Sequence, residues 1–304
     1  MKLKRTAATV ASAVLLGGLA TTTTGSANAA TVSATAACTM NVTGITSAGD
    51  ISGTQVTATS PVTAKTVKGP HLFTAGVAKA ASTWTESLDV PAGATTTGLA
   101  ILNDTLYSAY YSTMSGVPPT GLKKVGPGWG YFNFVEESFW QQAPGSTVTA
   151  TARYGFENGP GYLHRWRKDA KGVWHGDVAT GFSAVKTMAL ISETQTYDTF
   201  LANTRGGALY TIRIPRTAPI KPIVKKVRTS TWQTFESLVA EKCGSQGTLL
   251  TAIDKDTGAA YLYAVGHANG TATVIKGLGK VPGTFKDPVY SLTTPEGVAP
   301  LSGE

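Results

Sequence analysis

Recognisable catalytic and metal-binding motifs are missing from this sequence. The chain has only four histidines in 304 residues, and their spacing does not match that of zinc proteases. It contains neither the Gly-x-Ser-x-Gly elbow of hydrolases nor a phosphate-binding loop. Segment 254–258 begins like a calcium loop, but Val265 occupies the position of the required bidentate glutamate. These absences predict a protein without enzymatic activity, without a cofactor and without a bound metal.

Long apolar segments are also absent. No run approaches the roughly 18 continuous apolar residues of a membrane-spanning helix, and the longest candidate lies near positions 10–19. That run follows a basic start and precedes the small residues Ala27, Asn28 and Ala29, which is the layout of a secretory signal peptide. Its composition resembles that of exported actinomycete proteins. We expect a signal peptide over 1–29 and a secreted, extracellular domain over 30–304, with no membrane insertion.

Charge is sparse, since only 14% of the residues are Asp, Glu, Lys or Arg. The formal net charge of +8 falls to +5 when the three basic residues of the predicted signal peptide are removed. The remaining basic residues lie in small groups rather than in the single strong cluster that is typical of nucleic-acid binders. The sequence therefore disfavours a nucleic-acid partner.

Cysteine is limited to two positions, Cys38 and Cys243. Thiols tend to oxidise in the extracellular compartment, so the sequence predicts a disulfide between these two residues, which are 205 positions apart. The alternative is two unpaired thiols. A bridge would tie the beginning of the predicted domain to a late segment.

Short β-like runs fill the rest of the chain, and two markers repeat along it. The first is a valine that closes a strand, followed by a turn and an aromatic residue. The second is a leucine that is followed by tyrosine or histidine. The aromatics of the first marker are Trp84, Trp129, Phe182, Trp232 and Phe285, at spacings of 45, 53, 50 and 53 residues. The leucines of the second marker are Leu106, Leu163, Leu209 and Leu262.

Four short strands in a repeat of about 50 residues are typical of a β-propeller blade. The sequence thus predicts an all-β protein, a five-bladed β-propeller of four-stranded blades. The C-terminal segment has room for one strand, and residues 38–77 carry the other strands of an incomplete repeat. The last blade is therefore expected to be closed by N- and C-terminal strands. The predicted units are approximately 78–125, 126–178, 179–227, 228–281, and 282–304 with 38–77.

The stretch "KKVGPGW" followed by "YFNFV", together with the recurring turn and Leu-Tyr element, resembles the repeat of tachylectin-type lectins. This resemblance implies a five-bladed propeller that binds N-acetylated amino sugars at sites repeated around the ring. Only one unit carries the full Gly-x-Gly-Trp turn, because the others read "TGF", "TSTW" and "GTF". The loss of this turn motif in the other units does not affect the predicted fold, but it argues against five equivalent sugar sites.

One hairpin, Gly161 to Gly176, gathers aromatic and charged residues densely. Strand alternation places His164 and Trp166 on one face and Arg165 and Arg167 on the other. Stacking tryptophans and hydrogen-bonding arginines suit a sugar or an acidic group, whereas the alternative is a solvated charged hairpin. An aromatic that recurs once per blade favours packing, but it can also show one face to a sugar. The candidate ligand-binding residues are Tyr162, His164, Arg165, Trp166, Trp174, Trp129 and Trp232.

The leading hypothesis is therefore a secreted lectin-like propeller that recognises amino-sugar-containing glycans or cell-surface polysaccharide. The alternative is a secreted protein-interaction propeller that acts as a subunit of an extracellular or toxin complex, with other secreted proteins as partners. A glycosidase-like enzyme is the third hypothesis, because its two carboxylates can come from distant blades. Glu136 and Glu137 are the candidates for such a role.

Overall fold

The computed structural model describes residues 38–89, 91–157 and 159–304. The predicted signal peptide, 1–29, lies outside the described residues. The described chain is all-β, with 21 strands and a single helical turn, Gly270–Ala272. Its strands form repeated four-stranded antiparallel sheets, which we call units 1 to 5.

Each unit is a meander in which consecutive strands pair. Unit 5 contains β1 (Thr39–Ile45), β2 (Asp50–Thr57) and β3 (Thr63–His71). Unit 1 contains β4 (Ala78–Ala81), β5 (Trp84–Asp89), β6 (Gly93–Leu102), β7 (Thr105–Ser112) and β8 (Thr120–Pro127), where β4 and β5 both pair with β6 as two parts of one interrupted strand. Unit 2 contains β9 (Phe134–Gln141), β10 (Thr149–Glu157), β11 (Tyr162–Lys168) and β12 (Trp174–Ala179).

The remaining strands follow the same order. Unit 3 contains β13 (Val185–Glu193), β14 (Tyr197–Thr204), β15 (Leu209–Pro215) and β16 (Ile223–Arg228). Unit 4 contains β17 (Ser237–Cys243), β18 (Gly247–Asp254), β19 (Ala259–Val265) and β20 (Ile275–Val281). The last strand, β21 (Val289–Pro295), completes unit 5.

Unit 5 combines the two ends of the described chain. Strand β21 pairs antiparallel with β1, from Asn41 opposite Thr293 to Ile45 opposite Val289. It also pairs in parallel with β5 of unit 1, so units 5 and 1 share one continuous sheet. The pairing of β1 with β21 is the one predicted from the incomplete repeats at the two ends. The ends of the chain are thus joined by backbone hydrogen bonds.

The first strands of the units follow one another in a cycle. Strand β4 lies beside β9, β9 beside β13, β13 beside β17, β17 beside β21, and β21 beside β4. Together they surround a cavity of about 200 Å³, which we call the central cavity. The other three strands of each unit extend outward from this cycle.

Buried apolar side chains form five clusters in the described part of the chain, and each cluster lies between two consecutive units. Successive side chains of a strand point to opposite faces of its sheet. A sheet that packs between two neighbouring sheets therefore needs apolar side chains at both sets of alternating positions. Unit 3 shows this most clearly, since seven of the eight residues of β14 are buried. The hydrophobic core is therefore distributed among the junctions between units.

The aromatic residues of the first repeat marker were expected to occupy equivalent positions in all units, and one of the five does not. The backbone N–H groups of Trp129, Phe182, Trp232 and Phe285 each donate to a carbonyl in the turn between the second and third strands of the preceding unit. In unit 5 the residue that does so is Phe73, which donates to the carbonyl of Gly49. The prediction that Trp84 is the equivalent residue is therefore wrong, although Trp84 does pack in the cluster between units 5 and 1.

Trp84 belongs to a strand and is fully buried. It begins β5 and covers Gly98, where an added Cβ atom would lie 2.6 Å from the indole. Phe73 occupies the turn instead, so the true spacing from Phe73 to Trp129 is 56 residues. The error arose because Trp84 follows Val77 in the same way as the true aromatics follow their valines.

The predicted disulfide is confirmed. Cys38 and Cys243 are bonded, with their Cα atoms 5.7 Å apart. Cys38 directly precedes β1 and Cys243 ends β17, so the bridge crosses the junction between units 4 and 5. As for membrane insertion, none of the helical structure in the described residues has the length and apolar character to span a bilayer.

Candidate functional site: an aromatic pocket between units 1 and 2

A pocket of about 500 Å³ opens where the linker from unit 1 crosses onto unit 2. The linker between β8 and β9 forms one wall, and strands β10, β11 and β12 form the other. Five aromatic residues and three polar ones line it, and we call this site the aromatic pocket. Its defining residues are Trp129, Tyr131, Phe132, Arg153, Glu157, His164, Trp166 and Trp174.

The shape of the linker is set by one carboxylate. Asp104, in the turn between β6 and β7, accepts hydrogen bonds from the N–H of Gly128 at 3.2 Å and of Gly130 at 2.8 Å. Its backbone carbonyl accepts a third bond from the N–H of Trp129. Gly128 has a φ of +86°, a conformation that L-residues with side chains rarely adopt. The Gly-Pro-Gly-Trp-Gly stretch is therefore a turn that presents Trp129 to unit 2.

The inner wall of the pocket is a contiguous aromatic cluster. The rings of Trp129 and Trp166 have centroids 5.0 Å apart, and those of Trp129 and Phe132 are 4.7 Å apart. His164 stacks on Trp166 with an interplanar angle of 16° and meets Phe132 edge-on. Gly155 lies beneath, and a Cβ atom there would come within 2.6 Å of Phe132. The cluster thus needs a glycine on β10 in order to sit close to the sheet.

The rings differ sharply in their exposure. Trp129 and Phe132 are buried, with 8% and 7% of their surface exposed. Trp174 is 37% exposed and Tyr131 is 82% exposed. Exposed aromatic side chains next to a concave surface are enriched in recognition sites. Tyr131 and Trp174 therefore form the accessible part of the pocket, while Trp129 and Phe132 support it.

One ion pair and one hydrogen bond between a histidine and a carboxylate supply the polar groups. Arg153 donates through Nε and Nη2 to Glu137 Oε2, at 3.1 and 2.7 Å, and its guanidinium lies 4.8 Å from the ring centre of Trp174. Glu157 Oε1 lies 2.6 Å from Nε2 of His164. Within the described residues, the other oxygen of Glu157 has no hydrogen-bond partner. The pocket therefore offers both donors and a carboxylate acceptor beside its aromatic faces.

Four of the seven predicted ligand-binding residues meet in this pocket: Trp129, His164, Trp166 and Trp174. The predicted alternation along β11 is observed, because His164 stacks on Trp166 while Arg165 and Arg167 both contact Asp177 on the other face. Tyr162 is 40% exposed at the start of β11 and lies outside the pocket.

Arg165 is placed differently from the prediction. Its side chain is fully buried, and it donates to Asp177 and to the backbone carbonyls of Pro215 and Thr217 in unit 3. These bonds hold units 2 and 3 together and leave the guanidinium unavailable to an external ligand. The physical reason is that one face of β11 is covered by unit 3, which the alternation pattern alone does not reveal.

Trp232 lies at the junction between units 3 and 4 and is 5% exposed. Its ring packs against Phe235 and Tyr263, and the backbone carbonyls of Trp232 and Phe235 accept bonds from the amide of Asn203. Trp232 thus lies at a different junction from the aromatic pocket, and its ring packs in the core of that junction.

Comparison with unit 4 shows that the arginine of the aromatic pocket is not repeated there. Counted from the turn between the second and third strands, Tyr263 occupies the position of Trp166, so the marker leucines Leu163 and Leu262 are two residues out of step. Trp166 pairs across the strands with Arg153, whereas Tyr263 pairs with the fully buried Leu250. The cluster of Trp232 and Tyr263 therefore keeps the aromatic packing but lacks the cation. This contrast makes Arg153 a specific feature of unit 2.

Four pocket residues were not predicted from sequence: Tyr131, Phe132, Arg153 and Glu157. Tyr131 and Phe132 directly follow the Gly-Pro-Gly-Trp turn, so that turn was the signal that could have identified them. Arg153 and Glu157 are on β10 and approach the pocket only through the register of β10 with β11. No local sequence signal indicates that register.

The two carboxylates considered for glycoside hydrolysis are placed apart from a shared cleft. Glu136 lines the central cavity, where its oxygens accept bonds from Thr83 and from the N–H of Glu137. Glu137 lies on the opposite face of β9 and binds Arg153. Neighbouring residues on a strand point to opposite faces, so this pair does not flank one sugar.

No protein-family model matches the sequence, and a search of curated proteins finds no relative. Among solved structures, the chain is similar to the SapL1 lectin in complex with alpha methyl fucoside. The two share 8% sequence identity at a TM-score of 0.40, over 81% of this chain and 97% of the lectin chain.

Proposed function

We propose that the protein is an exported, lectin-like five-bladed β-propeller that binds a carbohydrate in the aromatic pocket. The cyclic order of the first strands and the shared unit 5 support a closed ring. The signal-like segment 1–29 and the disulfide Cys38–Cys243 support export. The protein acts by binding rather than by catalysis.

The observation that carries this proposal is the combination of stacked aromatic rings with an arginine, a histidine and a carboxylate in one pocket of about 500 Å³. Sugars present apolar C–H faces, which stack on aromatic rings, and hydroxyl groups, which need donors and acceptors at fixed positions. The volume falls within the range of about 300–1,000 Å³ that is usual for small-molecule sites. Arg153 donates to sugar oxygens, and Glu157 accepts from hydroxyl groups.

The free oxygen of Glu157 supports the proposed preference for amino sugars. An acetamido group carries an N–H donor and a methyl group, so it can bond to a carboxylate while its methyl packs on aromatic rings. Trp166 and Tyr131 provide such rings in the pocket. Glycans with N-acetylated amino sugars are therefore the proposed ligands.

A glycan array with residues 30–304 tests this proposal, followed by titration of the best ligand. Trp174→Ala should weaken binding about tenfold, because a stacked ring contributes roughly 1 kcal/mol or more. Its melting temperature should stay close to that of the wild type, because the ring is partly exposed.

Tyr261→Ala is the matched control. Tyr261 has 38% exposure, almost the same as Trp174, but it lies on β19 in unit 4. Equal affinity losses in both variants would contradict the placement of the site. Absence of binding across the array would contradict the lectin function itself.

The second candidate function is a protein-interaction propeller, and the exposure of Tyr131 favours it. That ring is 82% exposed, and Phe139, Val173 and Val178 of the same unit are each about half-exposed. Capture of a defined secreted partner that is lost in Tyr131→Ala, combined with a silent glycan array, would support this alternative.

A further inference from the structure

The central cavity carries a charge pattern that the aromatic pocket does not explain. Four polar residues of its lining lie where the first strands begin. Lys79 and Lys186 are the second residues of β4 and β13, and Asn133 and Glu236 directly precede β9 and β17. Because these strands run in the same direction around the cavity, residues at their starts gather at one mouth. Lys255, which directly follows β18, also lines the cavity.

Positive charge is in excess at this mouth. Three lysines, Lys79, Lys186 and Lys255, face a single carboxylate there, Glu236. Glu236 binds the Lys186 ammonium through one oxygen and the backbone N–H of Lys255 through the other. Glu136 also lines the cavity, but its oxygens are engaged by Thr83 and Glu137. Three lysines against two carboxylates leave an excess of basic groups in the lining of the cavity.

Each ammonium has donors beyond those it uses. Lys79 donates to the carbonyl of Gly130, and Lys255 donates to the carbonyl of Pro288 at 2.8 Å. An ammonium has three N–H donors, so Lys79 and Lys255 each retain donors without an acceptor among the described residues. Burial, and the nearby charge of Lys186, lower the pKa of Lys255 even though the carboxylates of Glu236 and Asp256 oppose the shift. Both ammonium groups therefore have donors available to a ligand at this mouth.

The size of the cavity restricts which ligand could bind at this mouth. About 200 Å³ is below the usual range for drug-sized or sugar ligands, which begins near 300 Å³. A small anion with several oxygens suits the volume and the spread of donors over units 1, 3 and 4.

We propose that this mouth of the central cavity binds a small oxyanion, of the phosphate or dicarboxylate class, held by Lys79, Lys186 and Lys255. The anion bridges lysines of three units and screens their mutual repulsion. Each of these lysines already contacts the linker that leads into the next unit. Binding there couples neighbouring units and stabilises the ring, independently of any ligand in the aromatic pocket.

Isothermal titration of residues 30–304 with inorganic phosphate, with malonate and with chloride at matched ionic strength tests this proposal. Phosphate or malonate should bind saturably with one site per chain, and chloride should not. Lys255→Gln should weaken the affinity at least tenfold, whereas Lys255→Arg should stay within about threefold because it keeps the charge. Whichever of the two oxyanions binds more tightly identifies the class.

Lys68→Gln is the control, because Lys68 is an exposed residue of the outer strand β3. It should bind like the wild type. If Lys255→Gln fails to fold, Lys79→Gln replaces it, since Lys79 is exposed at the mouth. Equal binding by the wild type and by Lys255→Gln or Lys79→Gln would overturn the proposal. A stabilisation by the anions that does not saturate and that all variants share would also overturn it, because excluded anions stabilise any folded protein in that way.

Discussion

Replacement of Glu136 by glutamine should change how stability depends on pH. Glu136 is 8% exposed on β9, and burial raises the pKa of its carboxyl from 4.5 to about 7, although hydrogen bonds from Thr83 and Glu137 partly oppose the shift. The folded protein therefore holds this proton more tightly than the unfolded chain does. By linkage, its stabilising contribution is complete below pH 4.5 and is lost as the pH rises to about 7.

The size of the effect follows from the shift. Each pKa unit corresponds to about 1.4 kcal/mol, so a rise of this size makes the wild type lose on the order of 3 kcal/mol of unfolding free energy across the window. Glutamine keeps an acceptor for the N–H groups and carries no charge. The variant should therefore resemble the wild type near pH 4.5 and become more stable than it near pH 8. At roughly 2–4 °C per kcal/mol, the difference in melting temperature should be on the order of 6–12 °C.

Thermal and urea unfolding from pH 4.5 to pH 8.5 measure this difference. Glu193, whose pKa burial raises to about 8, adds a slope of the same sign to both proteins. Because the charge of Glu136 contributes to the raised pKa of Glu193, the difference between the two proteins measures Glu136 together with its coupling to Glu193. Glu296→Gln serves as an exposed control and should follow the wild type. Parallel curves for the wild type and Glu136→Gln across the whole range would refute the assignment of a buried, protonated carboxyl.

Three further outcomes are expected. Replacing Cys38 and Cys243 by serine should lower the unfolding free energy by up to about 5 kcal/mol, since the bridge closes a loop of 205 residues, and an unchanged urea midpoint would contradict its role at the unit 4–5 junction. Trp232→Ala should cost about 3–5 kcal/mol in the same assay and leave glycan affinity unchanged, whereas a binding defect at full stability would make it a ligand residue. Deleting residues 289–304 should unpair β1 and expose a sheet edge, so the protein should aggregate or unfold without cooperativity; light scattering that matches the full chain would argue against the shared unit.

The aromatic pocket joins features that are far apart in sequence. Trp129 and Tyr131 come from a linker, and Trp166 and Trp174 come from a hairpin about 40 residues later. The hairpin attracted attention as a cluster of aromatic and charged residues, and the linker as a Gly-Pro-Gly-Trp turn. Their contact was not predicted, because a repeat pattern indicates equivalent positions and does not indicate which side chains meet across a junction.

Much of the architecture could be predicted from sequence alone. Strand-length runs between turn residues indicated an all-β chain, and two markers in constant order indicated four-stranded repeats. The incomplete repeats at 38–77 and after 282 indicated that the ends share a unit, and β1 does pair with β21. The two cysteines were predicted to bond, and they do. These features follow from local periodicity and chain connectivity, which a sequence displays directly.

Other features were decided only by tertiary structure. Alternation along β11 separates His164 from Arg165 correctly, but it does not say which face meets solvent, and unit 3 covers Arg165. Trp84 matched the spacing of a junction aromatic, yet Phe73 takes that place because its N–H reaches the turn carbonyl of Gly49. The physical reason is common to both cases. A contact between two units decides the placement, and neither strand alternation nor repeat spacing displays such a contact.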